Sequence, residues 1–347
     1  MKKAPCDSRQ AKSHRAAQNQ QQIGGALVSI PWPPPDNKED IMAIKKKADV
    51  YQMVTDRIVS ELEKGRIPWH KPWICPTKTV NGVLVDVDPT RCAYSRSTGK
   101  PYSLLNQLLL GKAGEWATFH QIREAGGTVC RGEKSSMVVF WKFIDVNEVN
   151  EQGEEEKKQV PMLRYYNVFH VQTQTTGISP KAIPHTTEST ETTAAKWNPI
   201  EEAEAVASHY LNTQGIQHHA VYGDRAFYAP ALDYIQTPTA AQFTEPGEYY
   251  STLYHEMVHS TGHSSRLNRF EDGSDSHAFG SDSYSREELV AEIGAACLLN
   301  LLGIETAGTF RNNAAYIQSW IQHLKADNHA IVAASGKAEK AVNLILA

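Results

Sequence analysis

The stretch "PGEYYSTLYHEMVHSTG", residues 246–262, constrains the fold more than any other part of the chain. It sets His255, Glu256 and His259 in a His-Glu-x-x-His arrangement. Two imidazoles four residues apart converge on one point only if the backbone between them is helical. In a strand they would lie about 13 Å apart. The segment therefore reads as a helix that starts at Pro246, a residue tolerated in the first turn, and stops at Gly262. Glu256 projects one residue round from His255, within reach of a reacting water but off the ligand face.

A catalytic zinc takes three protein ligands and keeps one position open, so a further donor is needed. His263 is nearest, but Gly262 should end the helix and the spacing is short. The better candidate lies in "SREELVAEIGAACLLNLLG", residues 285–303, which reads as a second helix with Ser285 as cap and Glu288 completing a capping box. Glu288 is expected to be the third ligand. Glu292, one turn on, is expected to hydrogen-bond a ligand imidazole and fix its tautomer. Ala291, Gly294, Ala295 and Ala296 are small enough for two helices to pack closely. Glu287 is expected to be a solvated neighbour. His263 and Arg266 divide between substrate contacts and loop packing, and Tyr249, Tyr254 and Tyr316 all remain open as donors to an oxyanion. The donor set suits Zn2+ or another divalent transition metal. The chemistry it implies is peptide-bond hydrolysis of an unidentified protein substrate, with the metal as Lewis acid and Glu256 as general base.

The rest of the chain has a different character. Residues 64–142 carry 12 Lys/Arg against 5 Asp/Glu, whereas residues 201–300 carry 4 against 15. One half attracts a polyanion and the other repels it. Within the basic half, "KGRIPWHKPW", "RCAYSRSTGKPYSLLN" and "CRGEKSSMVVFWK" mix cations with aromatic rings. Nonspecific binding of single-stranded nucleic acid uses this combination: charge for phosphates and flat rings for unpaired bases. Lys71, Arg96, Lys100, Tyr102, Arg131, Lys134 and Lys142 are the candidate contacts.

Periodicity divides the chain into parts. Residues 1–45, rich in Gln, Ser and Lys and then in Pro, are expected to be disordered. "ADVYQMVTDRIVSELEKG" reads as a helix, "SLLNQLLLG" and "TFHQIREAGG" as short helices with glycine stops, and "SSMVVFWKFIDV" and "LRYYNVFHVQ" as strands. "NEQGEEEKKQ" between those strands reads as a polar hairpin insertion. This alternation predicts an α+β domain over residues 46–185. The Thr-rich stretch 186–199 reads as a linker, and 200–347 as a second domain that ends in two further helices. No apolar run approaches the roughly 18 residues of a membrane span. Five scattered cysteines without a C-x-x-C fit a reducing compartment. A cytoplasmic protein with no membrane partner is expected.

Taken in order, "ELEKGRIPWHKPW", "SRSTGKPYSLLNQLLL", "TFHQIREAGGTVCRGEKS", "RYYNVFHVQ", "YHEMVHSTGHSSRLNR", "SREELVAEIGAACLL" and "AAYIQSWIQHLKAD" resemble the ArdC-type antirestriction proteins of conjugative plasmids and other mobile elements. That resemblance implies an α+β fold of two domains. The first is a single-stranded-DNA-binding domain similar to part of the TraC-type plasmid primases, and the second a zincin-like metallopeptidase domain of gluzincin type. It implies protection of incoming DNA from restriction, with His255, His259 and Glu288 at the ligand positions and Glu256 as base. A competing reading is a DNA-protecting protein whose metal is structural and which cleaves nothing. A metal-dependent nuclease is disfavoured, because that chemistry favours oxygen-rich magnesium sites.

Overall fold

Some helices stop where the sequence supplies a residue that favours a cap over another turn, as at Gly111. In the computed structural model, which describes residues 49–70, 92–149, 155–181, 199–270, 282–304 and 314–347, helix α1 spans Val50–Leu62 and strand β1 spans Ala93–Ser95. Helix α2, Leu104–Leu110, ends on Gly111, whose φ of 62° is a left-handed cap that a side chain would strain. Strand β2, Gly114–Ala117, leads into α3, Phe119–Glu124, which opens with a capping box made by Thr118 and Gln121. Then follow β3, Thr128–Val129; β4, Ser136–Val149; β5, Glu155–His170; the single turn α4, Val171–Gln174; and β6, Thr175–Thr176. The second half contains α5, Pro199–Gln214; β7, Gln217–Val221; β8, Phe227–Ala229; β9, Tyr234–Pro238; α6, Pro246–Ser260; α7, Asp282–Leu302; α8, Ala314–Ala326; and α9, Ala330–Ile345. The fold is α+β, as expected. The expected disordered extension 1–45, Lys71 and the expected linker up to residue 198 lie outside the described residues.

A four-stranded sheet in the order β1-β2-β5-β4 carries the first half, with β1 and β2 parallel and the other pairs antiparallel. The β4–β5 ladder runs from Ser136 opposite Val168 to Val149 opposite Glu155. Residues 155–159 of the expected polar insertion therefore belong to a strand. Buried Val138, Val139, Leu163 and Val168 set the register near the sheet. The ladder then continues into polar sequence because the backbone carries its hydrogen bonds. In the second half β7-β9-β8 form a small sheet, with β7 parallel and β8 antiparallel to β9. His218 and His219 lie on β7, at the edge of this sheet. Among the described residues no helix is long and apolar enough to cross a membrane.

The two halves share one apolar core. Ile58, Trp69, Leu108 and Val139 of the first half belong to the same buried cluster as Tyr210, Leu299, Leu324 and Val342 of the second. The Trp69 and Trp320 rings meet edge to face with centroids 6.1 Å apart. Polar groups close the seam: Thr55 Oγ1 donates to the Asn328 carbonyl at 2.9 Å, and the backbone N–H of Leu104 donates to Glu339 on α9 at 3.4 Å. A smaller cluster of Ala93, Tyr102, Leu110, Trp116, Val138 and Val168 fills the other side of the four-stranded sheet.

Candidate metal centre and nucleic-acid face

Helix α6 buries one face and presents the other. Tyr250, Leu253, Tyr254, Met257 and Val258 point into the core, where the Tyr254 hydroxyl donates to the Ala203 carbonyl at 2.9 Å and Tyr210 bonds Ser260 at 2.9 Å. His255 and His259 lie on the side that faces α7. That helix begins a turn earlier than the sequence suggests, at Asp282. Ser285 is thus an internal residue rather than the cap. The two helices approach closely at Gly294. A Cβ there would meet the Val258 methyls at 2.9 and 3.0 Å.

This approach brings three donors together. His255 Nε2 and His259 Nε2 are 3.1 Å apart; Glu288 lies 3.4 Å from the first and 3.2 Å from the second. Ligands about 2.0 Å from a tetrahedral ion are separated by about 3.3 Å, so these residues fit a small divalent cation. Two imidazoles and a carboxylate are donors that zinc and manganese(II) both accept. The His255 and Glu288 side chains keep 21 % and 25 % exposure, leaving a side open to solvent. Glu256 is buried next to them.

Charge explains the titration of the cluster. Burial opposes protonation of His259, but its bonds to Glu287 and Glu288 win and raise it to about 10. His255 moves the same way: burial is outweighed by Glu288, and Glu256 and Glu292 add to the rise. Burial pushes Glu288 and Glu287 upward, yet the imidazoles, and Arg269 beside Glu287, hold both below the usual carboxylate range.

Several expected roles change. Glu287 is not a solvated neighbour. Its carboxylate is largely withdrawn from solvent, 11 % exposed and 3.6 Å from His259 Nδ1, and forms two bonds with Arg269. Arg269, which sequence reasoning missed, lies in the loop after α6; its proximity to the motif was the only signal. Glu292 lies close enough to His255 for its charge to act there. His263 bonds Ser265 within its own turn and is not part of the donor cluster, which among the described residues comprises His255, His259 and Glu288. Arg266 is not a substrate contact, because only 3 % of its side chain is exposed. Its guanidinium is held by Asp233, Tyr228 and the Ser260 carbonyl. The buried bond of Tyr254 removes it as an oxyanion donor, and Tyr249 is turned toward Thr237. The Tyr316 side chain lies outside the described residues.

The basic half also sorts into core and surface. Arg96 is paired with buried Glu115 and donates to the Ser179 carbonyl at 3.0 Å, and Tyr102 fills the small core beside Trp116, so neither is a surface contact for nucleic acid. Lys100, Arg131, Lys134 and Lys142 are exposed. On β4 and β5, cross-strand pairing places Phe140, Lys142, Arg164 and Tyr166 on one face. The Phe140 and Tyr166 rings, 42 % and 36 % exposed, lie 5.7 Å apart.

Comparison with known proteins finds a match in each half of the chain. Residues 48–169 match the N-terminal domain of anti-restriction factor ArdC, and residues 204–337 match a zincin-like metallopeptidase domain. Two proteins named DNA primase TraC from Escherichia coli are 34 % and 32 % identical over 87 % and 88 % of this chain, which spans only 27 % and 20 % of their lengths. The uncharacterised protein y4eC of Sinorhizobium fredii (strain NBRC 101917 / NGR234) is 30 % identical, with 84 % of this chain matching 90 % of that one. The crystal structure of the antirestriction ArdC protein from the R388 plasmid, metal-free, superposes with a TM-score of 0.60 at 33 % identity, covering 86 % of this chain and 96 % of that one. Its Mn(II)-bound form gives 0.58 at 34 % identity, covering 86 % and 97 %. With an ArdC N-terminal domain followed by a zincin-like domain, the chain belongs to the ArdC family of antirestriction proteins.

Proposed function

We propose that this chain is an antirestriction protein that docks on single-stranded DNA and hydrolyses peptide bonds at a divalent-metal centre, zinc first, in the cytoplasm. The observation that carries the proposal is the set of three donors at the spacing of a tetrahedral site, open on one side, with Glu256 buried beside it. His255, His259 and Glu288 would hold the ion, which supplies Lewis acidity toward a carbonyl and acidifies water. Glu256 takes the proton of the attacking water and delivers it to the leaving amine. Glu287 and Glu292 surround the imidazoles with negative charge and favour their alignment.

The DNA reading rests on the face of Phe140, Lys142, Arg164 and Tyr166, with exposed Lys100, Arg131 and Lys134 as further cations. Rings stack on unpaired bases and cations neutralise phosphates. The acidic surroundings of the metal centre suit a protein substrate more than a nucleic acid, which disfavours a nuclease.

The test compares the zinc-loaded full chain with Glu256→Gln on a denatured protein substrate, with and without single-stranded DNA. The wild type should cleave, and the variant should keep its metal and lose cleavage. Absence of cleavage by a metal-loaded wild type that binds DNA would mark a non-proteolytic DNA-protecting protein.

A further inference from the structure

We propose that Arg269 is a positioning residue of the metal centre, acting through Glu287 on His259 and on the register of α7. The inference rests on the metal-centre reading above. Arg269 grips both helices that supply ligands. Toward α6, Nη2 donates to the Val258 carbonyl at 2.8 Å and Nη1 to Thr261 Oγ1 at 2.6 Å, and Thr261 Oγ1 itself donates to that carbonyl at 2.6 Å, so the guanidinium is tied to the C-terminal end of the helix. Toward α7, Nη2 and Nε donate to the two oxygens of Glu287 at 2.6 and 3.2 Å. A guanidinium presents these donors as a rigid fork, which a lysine cannot reproduce. Its side chain is buried, so the clamp works away from bulk water.

Glu287 Oε1, held by Arg269, lies 3.6 Å from His259 Nδ1, which leaves Nε2 of the same ring toward His255 and Glu288. Glu287 and Glu288 are also adjacent on one helix. Fixing the first against α6 therefore fixes the rotation of α7 that aims the second at the imidazoles. Arg269 further compensates the one carboxylate of the pair that faces Nδ1 rather than the donor cluster. Without that cation, Glu287 would be drawn to the metal and compete with Glu288.

The test measures zinc(II) affinity of the full-length protein by competition with a chelator, with the visible spectrum of the cobalt(II)-loaded protein recorded alongside. Arg269→Ala and Glu287→Gln should each weaken zinc binding roughly 10- to 100-fold, as changes to groups behind a ligand do, and each should alter the cobalt spectrum. If Arg269 acts through Glu287, the double variant should bind no more weakly than the weaker single one. Arg269→Lys, which keeps the charge but not the fork, should fall between. A purely structural Arg269 would lower the unfolding midpoint of the metal-free protein and leave affinity and spectrum unchanged in the folded fraction. That result would overturn the proposal, as would losses that multiply in the double variant. Should Arg269→Ala fail to fold, Arg269→Lys and Glu287→Gln carry the test, and wild-type affinity in both overturns it. Failure of the wild type to bind zinc would instead overturn the metal centre itself.

Discussion

His259 concentrates the physics of the site in one side chain. In the metal-free chain, carboxylates on both sides of the ring hold it protonated, with its pKa raised to about 10. Because its folded value lies above the unfolded one of about 6.5, this group stabilises the metal-free fold below that pH, and the contribution is lost as pH rises through about 10. Glu287 and Glu288 are shifted the opposite way, so their contribution is present above about 4.3 and lost on acidification. A divalent ion needs the neutral imidazole and must displace the proton. Zinc affinity should therefore rise between pH 6 and 9, by up to about tenfold per unit for each proton displaced. Calorimetry in buffers of different ionisation enthalpy should show protons released on binding, and an affinity independent of pH would contradict this account. The sequence made His255 and His259 legible because a four-residue spacing on a helix leaves little freedom. Arg96 and Tyr102 stood among the surface contacts, and Arg266 stayed divided between substrate contact and loop packing, for the complementary reason. A cation or a ring in a polar stretch carries no sign of whether its partner, such as Glu115 or Asp233, is brought to it by distant chain.

At the scale of elements, the centre depends on how closely α6 and α7 approach. The small residues of α7 announced that approach, and Gly294 against Val258 is where it occurs. An alanine at 294 favours an isolated helix by about 1 kcal/mol. Here its Cβ would lie 2.9 Å from a Val258 methyl whose rotamer the helix restricts. Gly294→Ala should thus destabilise the chain by about 1–3 kcal/mol in denaturant unfolding and weaken zinc binding by pushing Glu288 away from the imidazoles. Adding Val258→Ala should recover metal affinity even though it leaves a smaller core. Undiminished binding in Gly294→Ala alone would show that the helices have slack. What remained illegible was where elements extend beyond their apolar residues. The β4–β5 ladder runs on through polar sequence because backbone pairing carries it, and α7 begins a turn before its capping-box signal.

Across the whole molecule, sequence reading separated a basic half from an acidic one but not the core that joins them. Trp69 and Val139 are buried with Trp320 and Val342, so each half covers apolar surface of the other. Composition reports charge by segment and is silent on which apolar faces meet. Nucleic-acid binding is accordingly tested on the full chain. Affinity for single-stranded DNA should fall with salt, with a slope of about 0.7 per phosphate neutralised. Removing Arg131 and Lys134 together should reduce that slope by about one to two units. Replacing Phe140 and Tyr166 by Ala should leave the slope intact and cost about 1–3 kcal/mol per base unstacked. If the ring substitutions change nothing at any salt concentration, the β4–β5 face is not the docking surface.

The central claim is that His255, His259 and Glu288 hold one divalent cation while Glu256 serves beside it. Metal content per chain, measured by native mass spectrometry after loading with zinc(II) and removal of excess, tests it most directly. The wild type and Glu256→Gln should each retain about one ion per chain, whereas His255→Ala, His259→Ala and Glu288→Ala should retain almost none. Full occupancy in His255→Ala would contradict the account.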